Sequence, residues 1–422
     1  MEESPLQRVL APLSDPIVRL ATVAFFCLLA GYYMLRPIRD EMGITGGVDD
    51  LQWLQTGTFV VITALVVPVS WAVAKWRRSA VVPGMYVLFA VALVAAAELS
   101  RVTSGATAVW IARGLFIGIS TFNMFAVSLF WALMTDVMST AQSKRSFGTI
   151  AAAGSLGAIV GPALTSALAE RLGPFTLLLL ASVWLVVAAI ATRRVATAAG
   201  PEGRDDDTPL GGGLGEGLRR LVRSRELLGI CGYVVLFATT STLLYFMQAH
   251  IVKAAIADSG ERTALFANMD LTVNILALVV QFGVVAELLR RFGVAIVLGV
   301  LPVLTIVVFG ALAVAPLLIV LVVSQVVRRA VNFALAKPAR EVLFTGVERT
   351  DRYKTKVVID TVAYRGSDAA AGWLFAGLVS MGLSLPAIAS VAIPISAVWA
   401  WVSRDLGRRA AAARTPDEPD AG

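Results

Sequence analysis

One apolar run and its charged end decide the fold class: "IVRLATVAFFCLLAGYYMLRPIRDEMG", residues 17–43. An apolar run of about 17 to 25 residues spans a bilayer as a helix. The apolar part ends at Arg36, and Arg39, Asp40 and Glu41 follow within six positions. A simple helix boundary needs only one polar residue. The stretch therefore predicts a membrane helix whose outer end also has a functional role.

The composition extends this prediction to the whole chain. Of the 422 residues, 57% are hydrophobic, 15% are charged, and the mean hydropathy is +0.77. Soluble domains contain about 25% charged residues. No ten-residue alternating pattern of the barrel type is found, so we predict an all-α polytopic membrane protein. The net charge of +7 comes from basic residues in short loops, which argues against nucleic-acid binding.

Residues that support catalysis or metal binding are scarce. Cys27 and Cys231 both lie inside apolar runs, and His250 is the single histidine. No Cys/His cluster or nucleophile–base pair is present, so we expect no metal, no cofactor, no catalytic residue and no enzymatic activity. The lipid bilayer and a small-molecule substrate are the expected partners of a monomer.

Twelve apolar runs divide the chain into two sets of six. They lie near 17–38, 51–74, 80–98, 106–135, 147–169, 175–193, 227–251, 263–288, 292–313, 316–346, 356–380 and 384–402. The predicted domains are a terminus (1–16), a six-helix bundle (17–194), a linker (195–226), a second bundle (227–403) and a tail (404–422). Basic residues concentrate in alternate loops, which predicts that both termini are cytoplasmic.

Short similarities relate the two halves. "YYM" at 32–34 corresponds to "YFM" at 245–247, and a lysine precedes Gly-Ser by ten residues both at Lys144 and at Lys356. With a polar linker between two sets of six runs, these similarities favour two parallel repeats, the architecture of major facilitator transporters.

The tenth run carries charge near its middle. Arg328 lies twelve residues after Pro316, about 18 Å along a helix. Arg328 and Arg329 are too deep to reach an interface by snorkelling, and Gln325 and Asn332 extend one polar stripe with them. Such charges persist where they face a cavity or a partner.

Other runs add polar side chains at helical spacing. The eleventh places Asp360, Tyr364 and Asp368 on one face, and its Arg365 either pairs with Asp368 or binds a ligand. The fourth offers Arg113, Ser120 and Asn123, and the eighth offers Asp270, Asn274 and Gln281. Deep positive groups outnumber negative ones, so the cavity should attract anions.

The loop "GVVAELLRRFG", residues 283–293, places Glu287 and Arg290 between glycines. It resembles a loop signature of major facilitator proteins, and we interpret it as a gating element. In the first half, "AVAKWRRSA" keeps the basic residues but lacks the acid and the glycines.

Three segments resemble one transporter family. "YYMLRPIRDEMG" resembles the opening helix of the ATP/ADP exchange transporters of obligate intracellular bacteria and plastids, although Pro37 replaces an acid. "SLFWALMTDVMSTAQSKRSFGTIAAAGSLGAIVGP" and "AKPAREVLFTGVERTDRYKTKVVIDTVAYRGSDAAAGWLF" look more like its free-living bacterial branch. The resemblance implies a bacterial inner-membrane antiporter that works by alternating access and binds nucleotide phosphates with basic residues of spans 1 and 11. It leaves the substrate open.

The preferred interpretation is a secondary transporter of an organic anion, with a nucleotide as one candidate substrate. Two alternatives stay open: proton-coupled transport of a smaller solute or drug, and a scaffold or sensor that lost transport. The predicted substrate-binding residues are Arg36, Arg39, Arg113, Asn123, Arg328, Arg329, Arg365, Tyr32 and Tyr33. The predicted charge-balancing or gating residues are Asp40, Glu41, Asp270, Glu287, Arg290, Asp360 and Asp368.

Overall fold

A computed structural model describes residues 11–199, 214–283, 285–344, 355–356 and 358–412. Across these residues the backbone is almost entirely helical and contains no strand. The predicted all-α class is confirmed. The long helices follow from the apolar runs, because a segment in lipid must satisfy its backbone hydrogen bonds internally.

The helices are numbered here in chain order. The first six are α1 Pro16–Thr45, α2 Leu51–Lys75, α3 Arg78–Val102, α4 Ala106–Val137, α5 Thr140–Ala198 and α6 Leu214–Arg223. The remaining seven are α7 Arg225–Ala255, α8 Ser259–Gly283, α9 Val285–Val314, α10 Leu318–Val331, α11 Lys337–Leu343, α12 Tyr364–Ser380 and α13 Leu385–Ala412. Short 3-10 turns occur at Ala11–Ser14 and Val48–Asp50. Two segments are π-helical. Asn332–Ala336 joins α10 to α11, and Val358–Ala363 leads directly into α12.

In the described residues, each of the twelve predicted runs lies mainly on helix. Within the described residues, ten helical stretches are long and apolar enough to cross a membrane. One of them, α5, contains two of the predicted runs, which meet at Gly173 (φ 70°, ψ 168°). The run at 356–380 lies on the second π segment and α12, outside those ten.

Helix α1 is longer than predicted. The apolar run ends near residue 38, but the helix continues to Thr45 and includes Pro37. Arg36 and the charged residues after it therefore lie inside the helix rather than beyond its end. The helix continues because these charged side chains find partners, and two of those partners, Asp270 and Arg262, lie on another helix.

The described residues form two compact units. The first comprises residues within Met1–Gly47, Val60–Pro209 and Ile256–Asn274, and the second those within Val48–Phe59, Leu210–Ala255 and Ile275–Gly422. The first unit therefore includes the beginning of α8, and the second the beginning of α2. The predicted bundle limits at 17–194 and 227–403 stay a prediction.

Close helix packing holds α1 against the first part of α5. A Cβ atom added to Gly157 would lie 2.3 Å from the carbonyl oxygen of Phe26, and one added to Gly161 would lie 2.4 Å from that of Ala30. Both distances are far below van der Waals contact. The glycines of "GSLGAIVG" therefore allow two backbones to touch, a role that small residues often have between membrane helices.

Candidate functional site

In the first unit, Arg36 of α1 lies beside Asp270 of α8. Its Nη1 is 3.5 Å from Oδ1 of Asp270, and the two side chains are 17% and 1% exposed. An opposite charge compensates for the burial of each group. The next polar residue of α8, Asn274, donates from Nδ2 to the carbonyl oxygen of Ala158 at 2.7 Å. This part of α8 is therefore joined to α1 and α5 by polar contacts.

The remaining charges of α1 also have partners. Arg39 donates to Asp40 from Nε at 3.0 Å and from Nη2 at 2.5 Å, and its guanidinium lies 5.7 Å from the ring centre of Phe116. Glu41 was predicted as a charge-balancing or gating residue, with no partner assigned on another helix. It accepts two hydrogen bonds from Arg262 of α8, at 2.7 and 2.6 Å.

The other predicted first-unit residues lie near this helix or on α4. Tyr32 is buried, and its ring contacts that of Tyr33 edge-on at 5.2 Å. Arg113 donates from Nε to the carbonyl oxygen of Gly46 at 2.8 Å, just beyond the end of α1. This bond gives Arg113 a structural role as a helix-end partner. Asn123 is half-buried.

Arg328 of α10 occupies a buried site in the second unit. It is 3% exposed, and its Nε donates to Thr305 Oγ1 at 3.1 Å. Its Nη2 donates to Thr240 Oγ1 at 3.2 Å and to Ser241 Oγ at 2.9 Å. Its guanidinium carbon lies 5.5 Å from the ring centre of Phe237. Among the described residues, no carboxylate lies within 4.0 Å of it.

The three hydroxyls around Arg328 are fixed as acceptors. Thr240, Ser241 and Thr305 each donate to a backbone carbonyl of their own helix, at 2.9, 2.6 and 2.7 Å. A hydroxyl has one hydrogen to donate, so its lone pairs remain available to the guanidinium. These neutral groups orient the positive charge of Arg328 without neutralising it.

Two further hydrogen-bond donors in the same region lack acceptors. Within the part of the chain that the structure describes, the buried Tyr233 hydroxyl and the buried Trp399 Nε1 have no hydrogen-bond partner. The two rings lie 5.4 Å apart, and Trp399 also packs 5.8 Å from Phe237. Buried donors normally find acceptors, so these two groups are candidate donors to a bound ligand.

The polar residues of α12 form their own network. Arg365 lies 3.4 Å from Asp368, whose Oδ1 also accepts from Thr242 at 2.8 Å. The internal Arg365–Asp368 pair is therefore present, and the guanidinium lies 5.4 Å from the ring centre of Tyr364. Arg329, next to Arg328, is half-buried.

Asp360 was expected to share one face with Tyr364 and Asp368 at α-helical spacing. It belongs to the π segment Val358–Ala363, whose wider turns break the α-helical spacing. Its side chain is 38% exposed and lies 3.7 Å from Arg340. Nearby, Lys356 donates to Glu341 at 2.5 Å, so charges alternate at this end of the unit.

The segment predicted as a gating loop is helical instead: Glu287, Arg290 and Arg291 lie at the start of α9, before its kink at Gly293. Glu287 accepts from Arg290 at 2.9 Å and also pairs with Arg291. All three side chains are exposed. Exposed ion pairs of this kind contribute little to stability, so this cluster alone does not fix the conformation of the segment.

Sequence reasoning missed several members of these sites. Arg262 binds Glu41 but was not among the predicted site residues. Thr240 and Ser241, two adjacent hydroxyl residues in the seventh run, were not predicted as site residues either. Polar residues inside that apolar run were an available signal, but their link to Arg328 requires tertiary contacts.

The family follows from a comparison of the sequence with protein families. Residues 21–338 match the Major Facilitator Superfamily. The chain belongs to this superfamily. This major facilitator protein is therefore a membrane transport protein rather than an enzyme.

Solved structures show the same fold. A variant of the nucleoside transporter NupG is 15% identical over 95% of this chain and 100% of its own, with a TM-score of 0.62. An auto-inhibited peptide transporter of the POT family is 11% identical over 97% and 99%, with a TM-score of 0.67. The POT family transporter PepTSo is 12% identical over 93% and 98%, with a TM-score of 0.66. No curated protein sequence matches significantly. At these identities the likeness concerns the fold, and the resemblance to ATP/ADP exchangers stays a prediction.

Proposed function

We propose that this major facilitator protein is a secondary active transporter that moves an organic anion by alternating access. The proposal rests mainly on one observation, the buried Arg328. Its contacts among the described residues are hydroxyls and an aromatic face, and none is a carboxylate. Moving such a charge out of water costs several kcal/mol, about the scale of a protein's net stability. A bound anion would offset this cost.

The geometry suits an oxyanion. A guanidinium binds phosphate or carboxylate oxygens strongly, and here Nε and Nη2 already donate to hydroxyls, which orients the group so that an anion would bind at Nη1. The unpartnered Tyr233 hydroxyl and Trp399 Nε1 supply further donors nearby. Acidic side chains contribute by balancing charge on the other arginines, as Asp270 does for Arg36 and Asp368 does for Arg365.

ATP and ADP are the first substrates to test. The reason is the resemblance of "YYMLRPIRDEMG" and of two longer segments to the ATP/ADP exchange family. In this proposal the protein lies in a bacterial cytoplasmic membrane with both termini inside. Within the second unit, Arg328 and Arg365 contribute to phosphate binding during the cycle.

Transport in proteoliposomes tests the proposal. Vesicles preloaded with ADP should take up labelled ATP, and a parallel series preloaded with other organic anions covers non-nucleotide substrates. Arg328→Lys keeps the charge but loses the fork, whereas Arg328→Gln loses both. We expect uptake to fall about tenfold or more in the lysine variant and further in the glutamine variant. Arg101→Gln, at an exposed position, is the matched control.

Binding without transport provides a second measurement. An anion that binds only the folded protein raises its thermal stability, and this rise should disappear in Arg328→Gln. If no nucleotide exchanges but another anion does, the nucleotide assignment is wrong and the anion proposal stands. If no anion is transported and Arg328→Gln changes only stability, the protein is a scaffold that kept the fold.

A further inference from the structure

A short helix lies between the two sets of membrane spans. Helix α6, Leu214–Arg223, ends one residue before α7 begins. Ser224 separates the two helices, and its hydroxyl accepts a hydrogen bond from the backbone N–H of Leu227 at 3.3 Å. Ser224 therefore caps α7, and α6 is a separate element rather than an extension of the span.

The apolar side of α6 is only partly covered. Leu221 is 4% exposed and packs in a hydrophobic cluster that also holds Leu343 and Val358. Leu218 and Val222 are one helical turn apart, and they are 52% and 62% exposed. One side chain thus anchors the helix, and two neighbours on adjoining faces are open.

Basic residues lie beside these open apolar side chains. Arg219 and Arg223 are exposed and four positions apart, so they share a side of the helix. Arg220 is half-buried, and Arg225 is exposed at the start of α7. Glu216 and Glu226 are the acids at the two ends of this segment. The exposed surface of α6 therefore combines apolar and positively charged groups.

From this arrangement we propose that α6 binds anionic lipid headgroups at the membrane surface. A helix that connects two membrane spans lies beside the interface, where exposed leucine and valine can enter the acyl boundary while arginines contact phosphates. Charge complementarity identifies the occupant, because each basic residue near an anionic leaflet adds favourable energy. We call Leu218, Arg219, Val222 and Arg223 the lipid-binding face.

Helix α6 also packs against the eleventh predicted span. The helix contacts the π segment Val358–Ala363, which carries Asp360. Binding of lipid to α6 therefore stabilises an element that abuts the charged end of the eleventh span. This step is independent of which substrate the protein moves.

Hydrogen exchange on the full-length protein tests the proposal directly. The protein is reconstituted in vesicles of phosphatidylcholine alone and in vesicles that also contain phosphatidylglycerol. We expect amide exchange in residues 214–223 to slow in the anionic vesicles, and added salt to reverse the effect. The ratio of exchange rates between neutral and anionic vesicles should fall by about fivefold for each arginine removed in the double variant Arg219→Gln/Arg223→Gln.

Two control variants separate charge from apolar insertion. Arg101→Gln/Arg171→Gln removes two exposed arginines from α3 and α5 and should leave exchange in α6 unchanged. Leu218→Ser/Val222→Ser should raise exchange in both vesicle types. Equal exchange in neutral and anionic vesicles would overturn the proposal, as would protection that survives the double arginine variant.

Discussion

Glu41 and Arg262 are joined by two hydrogen bonds, at 2.7 and 2.6 Å, although 221 positions separate them in the sequence. Glu41 has no exposed surface, and its Oε1 also accepts from the Thr45 hydroxyl at 2.9 Å. Arg262 uses Nη1 to bind the carbonyl oxygens of Ile256 and Ala257. The charged groups of the pair therefore all have hydrogen-bond partners. A single substitution would leave a buried group without one, so the pair should be sensitive to such changes.

Glu41→Gln should destabilise the protein by about 3 to 5 kcal/mol, because Arg262 would keep its buried charge without an anion. Thermal unfolding of the purified protein measures the effect. The double variant Glu41→Gln/Arg262→Gln should recover part of the loss. Glu98→Gln, which breaks an exposed pair with Arg101, should change stability by less than about 1 kcal/mol. Equal effects of Glu41→Gln and Glu98→Gln would contradict the expectation.

Gly157→Ala should cost about 1 to 3 kcal/mol, because its Cβ would overlap the carbonyl oxygen of Phe26 and push α1 away from α5. Gly148 lies on the same helix with nothing within 4 Å of an added Cβ. Gly148→Ala should therefore be neutral or stabilising by up to about 1 kcal/mol. Chemical or thermal unfolding distinguishes the two, and a neutral Gly157→Ala would show that the helices separate easily.

Ser241→Ala removes one of the acceptors that orient Arg328, so anion binding should weaken by about tenfold, as for loss of one hydrogen bond to a charged group. Titration calorimetry with the transported anion measures the change. Ser390→Ala, an exposed hydroxyl on α13 that bonds only its own helix, is the control. Unchanged affinity in Ser241→Ala would place the anion elsewhere.

Asp368→Asn should strengthen anion binding severalfold. The neutral amide can still accept from Thr242, but it no longer balances the positive charge of Arg365. The same titration checks this result. A loss of stability with unchanged affinity would instead identify Arg365–Asp368 as a purely structural pair.

Exchange transport should require a counter-substrate inside the vesicle and should not follow a pH gradient. Asp270 would then act as the partner of Arg36 rather than as a proton carrier. Uptake into vesicles with and without internal anion, under an imposed pH gradient, measures the requirement. Gradient-driven uptake that Asp270→Asn abolishes would favour the proton-coupled alternative.

The sequence predicts the fold well because hydrophobic runs and charged loops are local signals. The described parts of the twelve runs lie mainly on helices, and Arg328, predicted to lie deep in its run, is buried. The long-range partners of the charged residues could not be predicted from the sequence, because Glu41, for example, binds a residue from another part of the chain. The π segment that contains Asp360 was also not predicted, because nothing in the residue spacing distinguishes it from an α-helix.

The contact at Gly157 and Gly161 has a mechanical consequence. It joins backbone to backbone, so no side-chain rotamer can change to let α1 slide along the first part of α5. The two helices should therefore move together as one rigid body during the transport cycle. Any displacement of that part of α5 moves Arg36 and Arg39 by the same amount, and the charged end of α1 needs no hinge of its own.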